Sequence, residues 1–237
     1  TANRLRLDRL WPVAASEAEL GEILGTMTAS MRTQNKTSEA IAAALPATAQ
    51  RAIAEVPFST ARKWSAVALD DALRGVYALG APEMMRPYLV LPGSGGQAAW
   101  AAITQQASVL AEAGLRVLLV AHSPEPAALD DRGDASQLPP DMRPLGLVSF
   151  SDELRSEARE VLESFIANGV TPKIISGDNP ETVAALARQA GLDRDARLVS
   201  GLELAAMEPA QFDAAALAGT IFGRITPQQK EQLVDAL

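Results

Sequence analysis

Polar and apolar residues alternate from Arg4 to Leu10 (Arg-Leu-Arg-Leu-Asp-Arg-Leu), the two-residue period of a half-buried strand. The period then lengthens. Leu20, Ile23, Leu24 and Met27 share one face of a helix that Ser16 opens, with Glu19 three residues on to complete a capping box. Thr37 or Ser38 is expected to cap a second helix running through Ala44. Strands are expected around 58–69 and 75–79. Residues 91–96 (Leu-Pro-Gly-Ser-Gly-Gly) have loop composition. A helix over about 100–113 should end at Gly114, followed by an apolar strand at 115–121. Residues 123–144, rich in Pro, Asp and Gly, read as a long surface excursion.

Beyond residue 145 the texture changes. A strand at 145–150 precedes a helix from 152 to about 167, with Leu154, Ala158, Val161, Leu162 and Phe165 on its inner face. Strands follow at 170–176, 197–200 and 220–223. Helices are expected from Asn179-Pro180 to Gly191 and from Pro227 onward. Strand–helix alternation with short links predicts a parallel, doubly wound sheet, and the boundary falls near Ser151. No internal repeat is present.

Composition narrows the functional classes. The 237 residues hold 21 Lys and Arg against 29 Asp and Glu, a net charge of −8, which argues against a general nucleic-acid or anionic-membrane binder. With no Cys and one histidine, His122, thiolate chemistry and multi-His metal sites are excluded. No apolar run approaches the about 20 residues of a membrane-spanning helix. His122 reads as a hydrogen-bonding or surface histidine. Residues 93–96 lack the Lys-Ser/Thr of a phosphate-binding loop, and Asp130, Asp131 and Asp134 lack the spacing of a calcium loop.

Two segments carry candidate chemistry. In Ile174-Ile175-Ser176-Gly177-Asp178-Asn179-Pro180 an apolar strand ends in Ser-Gly-Asp and a helix begins at once, with Asn179 as N-cap. Ligands of open α/β sheets bind at such carboxyl ends, where amides and a hydroxyl suit a phosphoryl group. An ordinary strand–helix turn fits this segment equally well. In Ile221-Phe222-Gly223-Arg224-Ile225-Thr226-Pro227-Gln228-Gln229-Lys230, Thr226 and Gln229 form a capping box. Lys230 then lies in the opening turn, against the helix dipole, which suits a nearby anion; a solvated lysine is the alternative. Two such strand ends in one sheet favour a phosphoryl site.

Taken together these segments resemble the phosphorylation domain of P-type ATPases, ion pumps of the haloacid dehalogenase superfamily. Ser176-Gly177-Asp178 matches the family's (T/S)-G-D. Residues 222–230 match F-A-R-x-x-P-x-x-K with Gly for Ala, and Asp152-Glu153-Leu154-Arg155 matches the hinge D-x-x-R. The amino-terminal part is similar to the pump's nucleotide-binding domain. Phe58-Ser59-Thr60-Ala61-Arg62-Lys63 fits F-S-x-x-R-K, and Leu79-Gly80-Ala81-Pro82-Glu83 fits K-G-A-P-E with Leu in place of a pocket lysine. Residues 37–40 resemble the segment whose glutamate meets the adenine amino group, and residues 114–118 the strand whose arginine reaches the phosphates. The Lys63-Trp64 pair and the missing pocket lysine are similar to a bacterial subgroup of cation pumps.

The resemblance implies an α/β chain. Residues 1–151 would form an α+β nucleotide-binding domain, mainly an antiparallel sheet with helices. Residues 152–237 would form a partial, doubly wound haloacid dehalogenase-like parallel sheet. Phe58, Lys63, Glu39, Gly80 and Arg116 would hold ATP. Ser176, Gly177, Asp178 and Lys230 would surround the transferred phosphoryl group, with Asp152 and Arg155 at the hinge. Neither D-K-T-G-T, with the phosphorylated aspartate, nor the magnesium motif G-D-G-x-N-D occurs in the sequence, and Thr1-Ala2-Asn3-Arg4 is similar to the segment just past the former. The expectation is therefore a cytoplasmic part of a plasma (inner) membrane pump, inactive alone, with most magnesium ligands outside it. Its partners would be ATP, the membrane and actuator domains and the transported cation. Helix faces at Leu154, Val161 and Phe165 should then be under-covered. The alternatives are a soluble haloacid dehalogenase-type phosphatase, for which Asp8 follows a strand but Leu10 is not acidic, and a non-catalytic nucleotide-binding module.

Overall fold

The computed structural model describes residues 4–91, 96–126, 129, 131–193 and 195–237, with Asp134 described by its backbone alone. Residues 92–95 of the expected loop, Asp130, and the first three residues of the resemblance at 1–4 thus lie outside the described residues. The chain divides into two compact units, one of Asn3–Ala107 with Val117–Ser151, the other of Ser108–Arg116 with Asp152–Leu237.

In the first unit β1 (Leu5–Pro12) leads into α1 (Glu17–Ser30), whose N-cap Ser16 and Glu19 make the expected reciprocal capping box. Helix α2 (Lys36–Ala44) begins earlier than its sequence suggests. Asn35 is its cap, accepting from the amides of Thr37 (2.9 Å) and Ser38 (3.1 Å), while the Ser38 side chain closes the box on the Asn35 amide. Next come β2 (Ala52–Val56), β3 (Trp64–Asp70), β4 (Arg74–Gly80), the short α3 (Pro82–Met85), α4 (Gly96–Glu112), β5 (Arg116–Ser123) and β6 (Arg143–Asp152). They form one sheet in the order β1-β6-β5-β4-β3-β2, with β2 to β5 pairing antiparallel in succession.

Only the second half of the β-rich stretch expected around 58–69 is strand. Ser59 organises a turn, its carbonyl accepting from Lys63 N (2.8 Å) and its hydroxyl from Arg62 N (3.1 Å), so β3 starts only at Trp64. Strand β2 carries little alternation to betray it, since three of its five residues are not strong strand formers (Ala-Ile-Ala-Glu-Val). Leu20, Leu24, Met27 and Ile41 from the helices pack on Val67, Leu69, Tyr77, Leu79, Val120 and Phe150 from the sheet to make the core.

The second unit holds α5 (Ala158–Ala167), β7 (Ile174–Ile175), α6 (Pro180–Gln189), β8 (Leu198–Ser200), α7 (Gly201–Ala205), α8 (Pro209–Ala218), β9 (Ile221–Gly223) and α9 (Pro227–Asp235). Its sheet has the order β7-β9-β8 with both pairs parallel. Strand β6 continues through Asp152, so α5 begins six residues later than expected. None of its residues is buried, and Val161 (47%) and Phe165 (48%) are half exposed, the under-covered face the sequence predicts rather than an inner one. Strand 170–176 shortens to two residues because Val170 N closes the end of α5 on Phe165 O (2.9 Å) and Pro172 has no amide to give a ladder. Helices α7 and α8 occupy a stretch to which the sequence pattern gives no assignment.

Lys173 ties this unit together. Its ammonium donates to the carbonyls of Ala216 (2.8 Å), Leu217 (2.8 Å) and Gly219 (2.6 Å), capping the carboxyl end of α8. Burial lowers its pKa from the usual lysine value. Lys173→Met should cost about 1.5 kcal/mol, the low end for a charge-assisted bond in a part-exposed setting, read as a melting temperature lower by roughly 3–6 °C. An unchanged melting temperature would show the cap to be idle.

Candidate functional site

The strand ends of the second unit lie side by side. Ile174 and Ile175 of β7 register with Ile221 and Phe222 of β9. Beyond the strands the two turns stay laced: Ser176 N donates to Phe222 O (2.9 Å), Ile225 N to Ser176 O (3.0 Å) and Arg224 N to Asp178 O (2.7 Å). The Asp178 amide donates to the Ser176 hydroxyl (3.1 Å), and Asn179 caps α6 by accepting from Glu181 N and Thr182 N. Ser176, Gly177 and Asp178 are therefore a fixed turn packed on the one that leads from β9 to α9.

This close packing explains a departure from the motif. A Cβ on Gly223 would stand 2.4 Å from Pro180 Cα and 2.7 Å from Pro180 N. Because these are backbone atoms at the first position of α6, only glycine fits here, where the pump motif has alanine. Arg224 follows with φ of 55°, and Lys63 with φ of 58° is the other non-glycine residue of positive φ among the described residues. Both lie in the pump-like motifs, and backbone strain tends to gather at functional sites.

Arg116 sits with this turn. Its guanidinium Nη2 is 2.7 Å from Asp178 Oδ1, and the neighbouring Leu115 carbonyl accepts from the Thr182 hydroxyl (2.9 Å). The pair is 33% and 43% exposed, so solvent screening leaves it about 1 kcal/mol or less. Lys230 lies one turn into α9, after the expected capping box of Thr226 and Gln229, and its side chain is exposed. Asp152 ends β6 with a buried Oδ1 that has no hydrogen-bond partner, and Arg155 follows in the link to α5, its carbonyl accepting from Ala158 N (3.0 Å).

In the first unit the β3–β4 pairing joins two motifs. Trp64 registers with Gly80, and the Lys63 carbonyl accepts from Ala81 N (3.0 Å). Gly80 is obligatory, because a Cβ there would lie 2.3 Å from Trp64 Cβ. Phe58, at the head of the Ser59 turn, is 46% exposed. Arg62, to which the sequence reading gives no role, braces that turn. It donates to Pro57 O (2.7 Å) and to Gly133 O, and lies over the Trp64 ring at 5.1 Å. Arg62 lies in the turn ahead of β3, outside any strand period, so nothing in the local pattern marks it.

Glu39 is exposed on α2 and paired with Lys36 (2.7 Å). Leu79, standing where the pump motif has lysine, is buried in the core beneath α1 and α2, so this position supplies packing instead of charge. Clefts of about 760 Å³ (Leu10, Glu17, Gly21, Leu45) and about 610 Å³ (Arg86, Leu89, Trp100) are lined by none of Glu39, Phe58, Lys63 and Gly80; Glu39 and Phe58 are exposed, Lys63 is half-buried and Gly80 is buried. His122 is a hydrogen-bonding residue, stacked on Tyr77 at 4.6 Å with Nε2 3.0 Å from Arg74 O. Asp8, the nucleophile of a phosphatase reading, lies in β1 and accepts from the Ser149 hydroxyl (2.8 Å) instead of ending a parallel strand.

A parallel sheet with Ser-Gly-Asp and Arg-x-x-Pro-x-x-Lys turns on adjacent strand ends defines the class. The haloacid dehalogenase-like hydrolase family matches residues 23–237, and the chain belongs to that family. Its relatives carry the resemblance to P-type ATPases through. It is 35% identical to a probable cation-transporting ATPase I of Mycobacterium tuberculosis, over 78% of this chain and 12% of that protein. It is 32% identical to the calcium-transporting ATPase CtpE of Mycobacterium bovis (94% and 26%) and 31% identical to the probable cation-transporting ATPase exp7 of Streptococcus pneumoniae (100% and 28%). The chain thus spans about an eighth to about a quarter of the length of these relatives. No helix among the described residues is long and apolar enough to cross a membrane.

Proposed function

We propose that this chain is the ATP-handling part of a cation pump on the cytoplasmic side of a plasma (inner) membrane. Residues 1–151 act as the nucleotide-binding domain and residues 152–237 as part of the phosphorylation domain. Adenine stacks on Phe58, with Glu39 accepting from its exocyclic amino group, while Lys63, the Gly80 backbone and Arg116 serve the rest of the nucleotide. An aspartate outside this chain attacks the γ-phosphorus and ADP leaves. Ser176, Gly177 and Lys230 neutralise and orient the phosphoryl group in transit, Asp178 shapes their turn, and Asp152 and Arg155 serve as the hinge. Catalysis of this kind is positioning and electrostatics. The pump's membrane helices hold the transported cation, and the actuator domain acts on the phosphorylated aspartate.

The observation that carries this reading is the pair of laced strand ends, Ser176–Asp178 beside Gly223–Ile225, with a cation one helical turn beyond. Among the described residues no three His, Asp or Glu side chains form a cluster, and magnesium needs only one or two carboxylates beside the phosphates of its nucleotide. Magnesium would arrive with ATP and find its protein ligands elsewhere in the pump.

The test is phosphate release. Without an acceptor no phosphoenzyme forms, so the 237-residue chain should release phosphate from ATP at the background rate. Release that survives purification and is lost in Asp178→Asn would contradict the reading and favour a self-contained phosphatase.

A further inference from the structure

Glu55 has no part in the chemistry above, yet its carboxylate bridges two distant segments. Oε2 accepts from Arg32 N (2.8 Å) and Oε1 from Thr33 N (3.0 Å), 23 and 22 residues away in sequence. These amides belong to the link between α1 and α2, just past the last turn of α1. Local bonds also shape this link. Gln34 Nε2 donates back to Thr28 O (3.0 Å) and Met31 O (2.9 Å), and Asn35 caps α2. Glu55 adds a long-range tie from the sheet. On one side of that tie, α2 starts at Lys36 and presents Glu39 in its first turn. On the other, β2 ends at the fully buried Val56, and Phe58 stands two residues further on.

We infer that Glu55 is a positioning residue that fixes Glu39 relative to Phe58, and so sets the preference for adenine over guanine. This rests on the nucleotide reading proposed above. A stacking ring accepts any base, because every base has a π-face. Discrimination needs an acceptor at a set place on the base edge: adenine offers an amino donor there, whereas guanine offers a carbonyl oxygen that a carboxylate repels. Two backbone amides on one carboxylate are a rigid clamp, since both donors are fixed by the chain and charge assists both bonds. Loosening it leaves Phe58 free to stack and moves Glu39 off the amino group.

Binding of ATP and of GTP to the whole chain should be measured for wild type, Glu55→Gln and Phe58→Ala. In Glu55→Gln the amide nitrogen meets a backbone donor and half the clamp is lost. ATP should weaken about fivefold as ordering of the pocket is lost, with GTP unchanged, so the preference falls by about the same factor. Phe58→Ala should weaken both nucleotides together. An unchanged ATP-to-GTP ratio in Glu55→Gln, or parallel losses tracking a lower melting temperature, would overturn the inference while leaving the nucleotide reading standing. A wild-type chain that binds neither nucleotide would overturn both. Hydrogen exchange in the wild type gives a reading independent of any variant. The Arg32 and Thr33 amides should be protected and gain protection with ATP; free exchange at both would overturn the clamp.

Discussion

Gly80→Ala is expected to destabilise the chain by about 3 kcal/mol or more, lowering the melting temperature by roughly 6–12 °C. The added Cβ would stand 2.3 Å from Trp64 Cβ, 2.9 Å from Lys63 O and 2.9 Å from Trp64 Cα. Two of these three are backbone atoms and the third is fixed directly to the backbone, so no rotamer change makes room. Relief requires β3 and β4 to separate at the Trp64–Gly80 pair, where Trp64 is 2% exposed and the Lys63 carbonyl is bonded to Ala81 N. Thermal unfolding of the purified variant measures this. A loss under about 1 kcal/mol would mean that the strands tolerate the methyl group and that Gly80 serves the nucleotide alone.

Phe58→Ala should do the opposite, leaving stability within about 0.5 kcal/mol, because the ring is 46% exposed. Its effect falls on nucleotide affinity. Stacking of one base on an aromatic ring, with a cation close by, is worth about 1–3 kcal/mol, so loss of the ring should weaken ATP by about fivefold to about 150-fold. Wild-type affinity should itself be modest, nearer millimolar than micromolar, roughly −4 to −6 kcal/mol. Leu79 lies in the core where the pump motif places a charge, which leaves Lys63 as the motif's remaining lysine. Isothermal titration of both proteins decides: equal affinities would remove Phe58 from the site.

How far the residues alone could be read depends on the range of the forces involved. Capping boxes at Ser16 and Thr226 and the N-cap at Asn179 were legible because they rest on local side-chain-to-amide bonds. The parallel sheet of the second unit was legible through strand–helix alternation and link length, whereas the antiparallel sheet of the first was implied by the family resemblance alone. Strand β2 was not, nor the turn over 59–63, because a hydroxyl and a carbonyl of Ser59 override an apparently continuous strand pattern. The late start of α5 was hidden because its amphipathic pattern continues upstream through Leu154, while Asp152 is claimed by β6. The motifs located Ser176–Asp178 and Lys230, but the meeting of Arg116 with Asp178 depends on residues 62 apart in sequence. Glu55 shows the same limit, for nothing near it in the chain marks it as a clamp.

The ATP site proposed for the first unit is the face carrying Phe58. Backbone amide spectra of the ¹⁵N-labelled chain, titrated with Mg-ATP, test it most directly. Saturable shifts are expected at Glu39, Phe58, Lys63, Gly80 and their neighbours, lost in Phe58→Ala. Shifts confined to residues 152–237, or none at millimolar ATP, would contradict it.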